Sequence, residues 1–226
     1  MTTVAQVKQV VQPLLQRNHD VALVGRMVVL KPMHHILRGV YVDRSLHPGL
    51  FVPTWATILL FEPSDHLSYN WGERVYDPTG NAWDIASHDD LPAKMCEAIE
   101  EQALPLLRPI MDIDDFVGFA TKERFPYTHF RLYEHRKIFV DIARGDLEAA
   151  RSICEYMATE SAKRRYLPLK MDEEYDRITK ELCPLIAKND RAGLARLLHK
   201  YEEGSARAMK LEKYWEPTPF PIELES

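Results

Sequence analysis

Histidine and acidic side chains are the first residues in this sequence with types and spacings that could do chemistry. Of nine histidines, His34 and His35 are adjacent. On an extended chain they project to opposite sides and cannot share one ion. No H-x-H, H-x3-H or H-E-x-x-H spacing occurs, and His129 and His135 are six apart, off a common helical face. The chemical reading left open is a small metal-dependent hydrolase or nuclease that combines His34, His35 or His47 with Asp43. Long-range assembly with His66 or His88 has no support in the spacing. Isolated histidines more often cap, bridge or sit at the surface.

Asp112-Ile113-Asp114-Asp115 has the look of an acidic metal triplet. The same letters make a helix start, because acids in a first turn offset the helix dipole and Asp caps it. Phe116, Phe119 and Ala120 then supply the apolar face, and the capping reading is preferred. Asp172, Glu173 and Glu174 form a second acidic cluster of the same kind. Nucleophile signatures are missing: there is no G-x-S-x-G elbow. Cys96, Cys154 and Cys183 fall in helical apolar patterns and read as small buried thiols. No phosphate-cradling glycine loop occurs among the nine glycines. Lys163-Arg164-Arg165 is the one basic cluster, near Tyr166, and reads as solvated helix-end charge. No catalytic residue, metal ligand or cofactor is assigned.

Aromatic density is the more distinctive signal. Tyr41, Phe51, Trp55, Phe61, Tyr69, Trp71, Tyr76 and Trp83 crowd one segment. Most should fill a core, but Tyr69, Trp71, Tyr76 and Trp83 lie in a stretch broken by Pro63, Gly72, Pro78 and Gly80. Some accessible aromatic surface is expected there, where large rigid side chains can anchor a partner.

The elements that position these residues follow from periodicity. Val4, Val7, Val11 and Leu14 predict an opening amphipathic helix over residues 3–16, kinked or stopped near Pro13. Residues 21–30 read as one strand or two meeting at Gly25, residues 36–43 as another, and residues 50–61 as one long strand. Pro53 argues for a bulge or an edge at that strand's start. Short strands are expected near 73–76 and 83–85. From Asp90 the period becomes helical, with Met95, Ile99, Ala103 and Leu106 in a stripe that Pro105 and Pro109 close.

Beyond residue 120 the pattern is helical and repeats faintly. Ile142-Ala143-Arg144-Gly145-Asp146 recurs 44 residues later as Ile186-Ala187-Lys188-Asn189-Asp190. Gly or Asn suits a left-handed helix end, and the Asp that follows suits the next N-cap. Two stacked αα-hairpins are the economical reading. The expected architecture is therefore α+β: a helix and antiparallel sheet over residues 1–122, then a helical-hairpin domain over 123–226 with a Pro-rich extended tail.

Composition narrows the class. The 226 residues are 46% hydrophobic and 28% charged, as in globular proteins. A net charge of −5 gives no basic excess for binding a phosphate backbone. The most apolar run, Ala56–Phe61, is far too short to span a bilayer. Scattered, odd-numbered cysteines and the lack of a signal-like start point to the cytoplasm of a bacterium or phage.

The stretch His35-Ile36-Leu37-Arg38-Gly39-Val40-Tyr41, with Ser45 and Phe51-Val52, then Pro63, Gly72-Glu73-Arg74 and Trp83, resembles a family of uncharacterised bacterial proteins. Its landmarks are H-x-L-R-G, F-x-V and G-x-R, and the resemblance spans about residues 5–85. It implies a helix followed by an antiparallel sheet and, in role, an immunity-like or accessory protein. Together with the missing catalytic signatures, this gives the functional expectation: a non-enzymatic protein that binds another protein, basic in character, and neither nucleic acid nor membrane. The surface expected to bind comprises Tyr69, Trp71, Tyr76 and Trp83 with the acids Asp112, Asp114, Asp115, Asp172, Glu173 and Glu174.

Overall fold

Thr3 opens the first helix through a capping box: its hydroxyl accepts from the Gln6 amide while the Gln6 side chain accepts from the Thr3 amide. In the computed structural model, which describes residues 2–43, 47, 49–63, 71–86, 90–122, 134–162 and 172–224, this helix is α1 (Val4–Val10). Pro13 sits in the first turn of the next helix, α2 (Gln12–Arg17), where its missing N–H costs nothing. The single helix read from periodicity is thus two short ones that meet at Val11.

The chain divides into two compact units. The first comprises Met1–Leu59, Asp65–Phe119 and Ala206–Glu216; the second comprises Leu60–Ser64, Ala120–Ser205 and Pro217–Ser226. The division is discontinuous, unlike the single boundary near residue 122 drawn from the sequence.

The first unit is mixed α and β. Its main sheet contains β1 (Val21–Val24), β2 (Met27–Leu30), β3 (Ile36–Val42), β5 (Pro53–Leu59) and β6 (Trp71–Arg74), in the order β1-β2-β3-β5-β6, all antiparallel. Gly25, at φ +60°, makes the β1–β2 turn. The strand expected over 50–61 is interrupted at Val52. Leu50–Phe51 (β4) pairs instead with Trp83–Asp84 (β7) in a small second sheet. Pro53 lacks an amide proton, so it begins β5 where the chain changes sheets.

One face of the main sheet carries Trp55, Thr57 and Trp71, with Val40 and Arg38 opposite them in register. Helix α5 (Ile113–Ala120) covers it: Phe116 meets Trp71 edge-on at 5.0 Å, and Phe119 meets Trp55 at 6.0 Å. Helices α3 (Leu91–Gln102) and α4 (Leu104–Leu107) are one stripe interrupted at Ala103, ahead of Pro105. Helix α3 packs against α1 and α2, where the buried Cys96 thiol donates to the Val10 carbonyl.

The second unit is helical: α6 (Glu134–Arg144), α7 (Leu147–Met157), α8 (Asp172–Asp176), a π-helical stretch Arg177–Leu182, α9 (Cys183–Ala187), the greater part of α10 (Arg191–Ala208), and α11 (Pro221–Leu224). Two of its turns are built alike. After α6, Gly145 has φ +83° and the Asp146 amide donates to the Asp141 carbonyl; after α9, Asn189 has φ +53° and the Asp190 amide donates to the Leu185 carbonyl. Both are Schellman ends. Asp146 then caps α7 through the Ala149 amide, and Asp190 caps α10 through the Gly193 amide. A disulfide between Cys154 of α7 and Cys183 of α9 ties these helices at a Cα separation of 5.6 Å. This corrects the reading of both residues as inert thiols; Cys96 alone remains free.

Candidate functional site

The aromatic surface expected on the first unit is smaller than the sequence implied. Trp71 and Trp83 are buried, at 2% and 1% exposure, which corrects their assignment as contact residues. Trp71 is taken up by Phe116, and the Trp83 indole N–H donates to the Val75 carbonyl at 3.0 Å. A buried indole needs such a partner, so Trp83 fixes the β6–β7 connection rather than a ligand. Tyr76 is 42% exposed. It stands beside a turn in which one Asp77 oxygen accepts from Thr79 and Asn81 amides and the Thr79 hydroxyl. Tyr69 lies outside the described residues.

Asp112 and Asp115 hold each other's backbone at the start of α5. The Asp115 amide donates to Asp112, while Asp115 accepts from the Met111 and Asp112 amides. One oxygen of each is engaged in capping, and Asp114 shares that first turn. Asp172, Glu173 and Glu174 form the first turn of α8, with Asp172 and Glu173 exposed and Glu174 half-buried.

The histidine–aspartate reading meets a geometric obstacle. His34 and His35 precede β3 and Asp43 follows it, so seven strand residues, about 23 Å of extended chain, lie between. His34 and His35 therefore cannot act with Asp43. The His34 ring is 3.2 Å from the Glu216 carbonyl, and His35 is buried. His47, like Asp43, follows β3 in the chain. Among the described residues no group of three or more His, Cys, Asp or Glu side chains is placed to hold a metal ion. His66, His88, His129 and the Lys163-Arg164-Arg165 cluster with Tyr166 lie outside the described residues.

Sequence reasoning missed a charged cluster in the second unit. Glu62 lies 3.4 Å from Arg136 of α6. Burial pushes its carboxyl up to about 7; Glu174 adds to the rise, and Arg136 and Arg177 oppose it. The Arg177 guanidinium stands 5.9 Å from the centre of the Tyr201 ring, and the Tyr201 hydroxyl donates to Glu181 at 2.8 Å. Burial and that bond hold the Tyr201 hydroxyl protonated. A carboxyl titrating near neutrality beside two guanidiniums is able to exchange a proton at physiological pH. No local motif announces it, because its members are scattered between positions 62 and 201.

Two buried arginines in the first unit were equally invisible. Arg38, central in β3, donates to the Pro32 carbonyl at 2.5 Å and to the Met111 sulfur, and burial lowers its pKa. Arg26 donates to the Thr2 carbonyl, while its Nε and Nη1 find no hydrogen-bond partner.

No known protein family, no curated protein and no solved structure matches the chain. No helix among the described residues is long and apolar enough to cross a membrane.

Proposed function

We propose that the protein acts by binding another protein, as an immunity-like inhibitor or accessory protein, and that its partner is basic. The observation that carries this reading is the turn built twice in the second unit, Gly145-Asp146 and Asn189-Asp190, with the same backbone and capping hydrogen bonds. On this reading α6–α7 and α8–α10 are two αα-hairpins, joined at α7 and α9 by the Cys154–Cys183 disulfide. Stacked helical hairpins spend sequence on surface and are suited to recognising macromolecules. The exposed start of α8, with Asp172 and Glu173, gives that surface an acidic edge, in keeping with the net charge of −5. Complementary charge raises association rates with a basic partner.

The test places a photo-crosslinking amino acid at Glu173 of the full chain in its native host, with Lys8 on α1 as the control position. One discrete adduct formed from position 173 and not from position 8, with a partner of basic isoelectric point, is the expected result. The same adducts from both positions, or none from 173, overturn the proposal.

A further inference from the structure

A concave site in the second unit brings two arginines and a glutamate together with three apolar side chains. It is a cavity of about 360 Å³ lined by Arg191, Ala192, Ala195, Arg196, Ile222 and Glu223. The four α10 residues are spaced i, i+1, i+4 and i+5, so they form one helical face. Helix α11 supplies the opposite wall and is pinned there. Phe220, fully buried, packs against Phe61 at 5.3 Å and the His199 ring at 4.7 Å. The Arg191 Nε–H donates to the Ile222 carbonyl at 3.4 Å. Glu223 accepts from the Phe220 amide at 2.7 Å and lies 2.8 Å from His199 Nε2.

We infer that this cavity binds a small organic carboxylate, with its anionic end on the Arg191–Arg196 pair and its apolar stem on Ala192, Ala195 and Ile222. Three features set that ligand class. Guanidinium groups offer forked donors that match a carboxylate, and two of them border one cavity. The floor between them is methyl-lined and favours a ligand with an apolar body over a bare inorganic anion. Among the described residues the one acid in the wall is Glu223, which is already engaged by His199 and the Phe220 amide, so its charge is partly met inside the wall. A multiply charged phosphate would still sit close to that carboxylate, whereas a monoanion meets less repulsion. The site stands apart from the acidic α8 edge proposed for a protein partner, and its test is independent of that reading.

The experiment titrates the full chain, 15N-labelled, with butyrate, with butanol and with inorganic phosphate. Saturable amide shifts confined to Ala192, Ala195, Arg196, Ile222 and Glu223, with butyrate binding roughly tenfold tighter than either comparator, are expected. Arg196→Gln should weaken butyrate roughly tenfold. Ala192→Trp, at the exposed edge of the cavity, should abolish binding by filling it. Lys8→Glu, in the other unit, should change nothing. Equal affinity for butanol removes the role of the arginines, and equal affinity for phosphate removes that of the apolar floor; either result overturns the inference. Failure of butyrate to saturate also overturns it, as does unchanged binding in both pocket variants with their spectra well dispersed.

Discussion

Removing the Cys154–Cys183 disulfide should destabilise the helical unit by about 3.5 kcal/mol. The bridge closes a loop with a sequence separation of 29. Loop-closure entropy for that length gives this figure, and measured bridges commonly deliver about 2–4 kcal/mol. For a unit of this size, the change corresponds to a fall of roughly 10 °C or more in unfolding midpoint. The assay is thermal unfolding by circular dichroism, with and without a phosphine reductant, on the parent and on Cys154→Ser/Cys183→Ser. Reductant should lower the parent's midpoint to that of the double variant and leave the variant unmoved. Thiol counting gives a second readout. Denatured, unreduced protein should release one reactive thiol, Cys96, and reduced protein all three. In the native state Cys96 should be silent, since it is buried and its thiol is pushed up to about 11 by that burial. Three thiols from unreduced protein purified under oxidising conditions would refute the reasoning. So would a reductant effect of equal size in the double variant.

Three further outcomes rest on titration, backbone conformation and helix capping. Glu62 has a folded pKa raised to about 7 against the ordinary 4.5, so folding takes up a proton between these values. Its contribution is fully present below about pH 4.5 and lost as pH rises through 7. Glu62→Gln should flatten that slope and gain about 1–2 kcal/mol on the parent by pH 8, after allowance for a side chain 23% exposed; parallel denaturant-melt stabilities from pH 5 to 8 would rule this out. Gly145→Ala should cost about 1–2 kcal/mol, because its φ of +83° is strained for any side chain. Asp146→Ala should cost about 1 kcal/mol through the lost cap on the Ala149 amide; urea midpoints unchanged in both variants would refute the hairpin-turn account.

The parts of the fold readable from sequence were those set by local chemistry. Gly25 between two β-branched runs, Pro13 inside an apolar helix stripe, and Gly145-Asp146 echoed by Asn189-Asp190 each dictate a turn or break within a few residues. The Asp112–Asp115 box is local in the same sense. Pairing across the chain was not readable. Nothing beside Cys154 marks Cys183 as its partner, and nothing around Trp71 or Trp83 shows that Phe116 and the Val75 carbonyl claim them. Pro53 signalled a break at that end of the strand, but nothing local showed that Leu50–Phe51 would pair with Trp83–Asp84 in a second sheet. The Glu62 cluster and the α10–α11 cavity are products of tertiary placement, with ordinary residues made unusual by what surrounds them.

The first unit recovers its last pieces late. Trp215 bridges to Met33, the Glu216 amide donates to the Met33 carbonyl, and His34 meets the Glu216 carbonyl across 182 residues of sequence. A ribosome that has released the sheet and α3 to α5 has therefore not yet released what completes their unit. The whole helical segment must emerge before residues 206–216 can return. Cutting the gene at the end of α5 would leave the sheet without that closing segment, so the two units are inseparable as expression products even though each has its own core. Such a chain makes this closure only after the whole helical segment has been synthesised. A nascent chain stalled before residue 206 would expose the Met33 edge to the cell's chaperones.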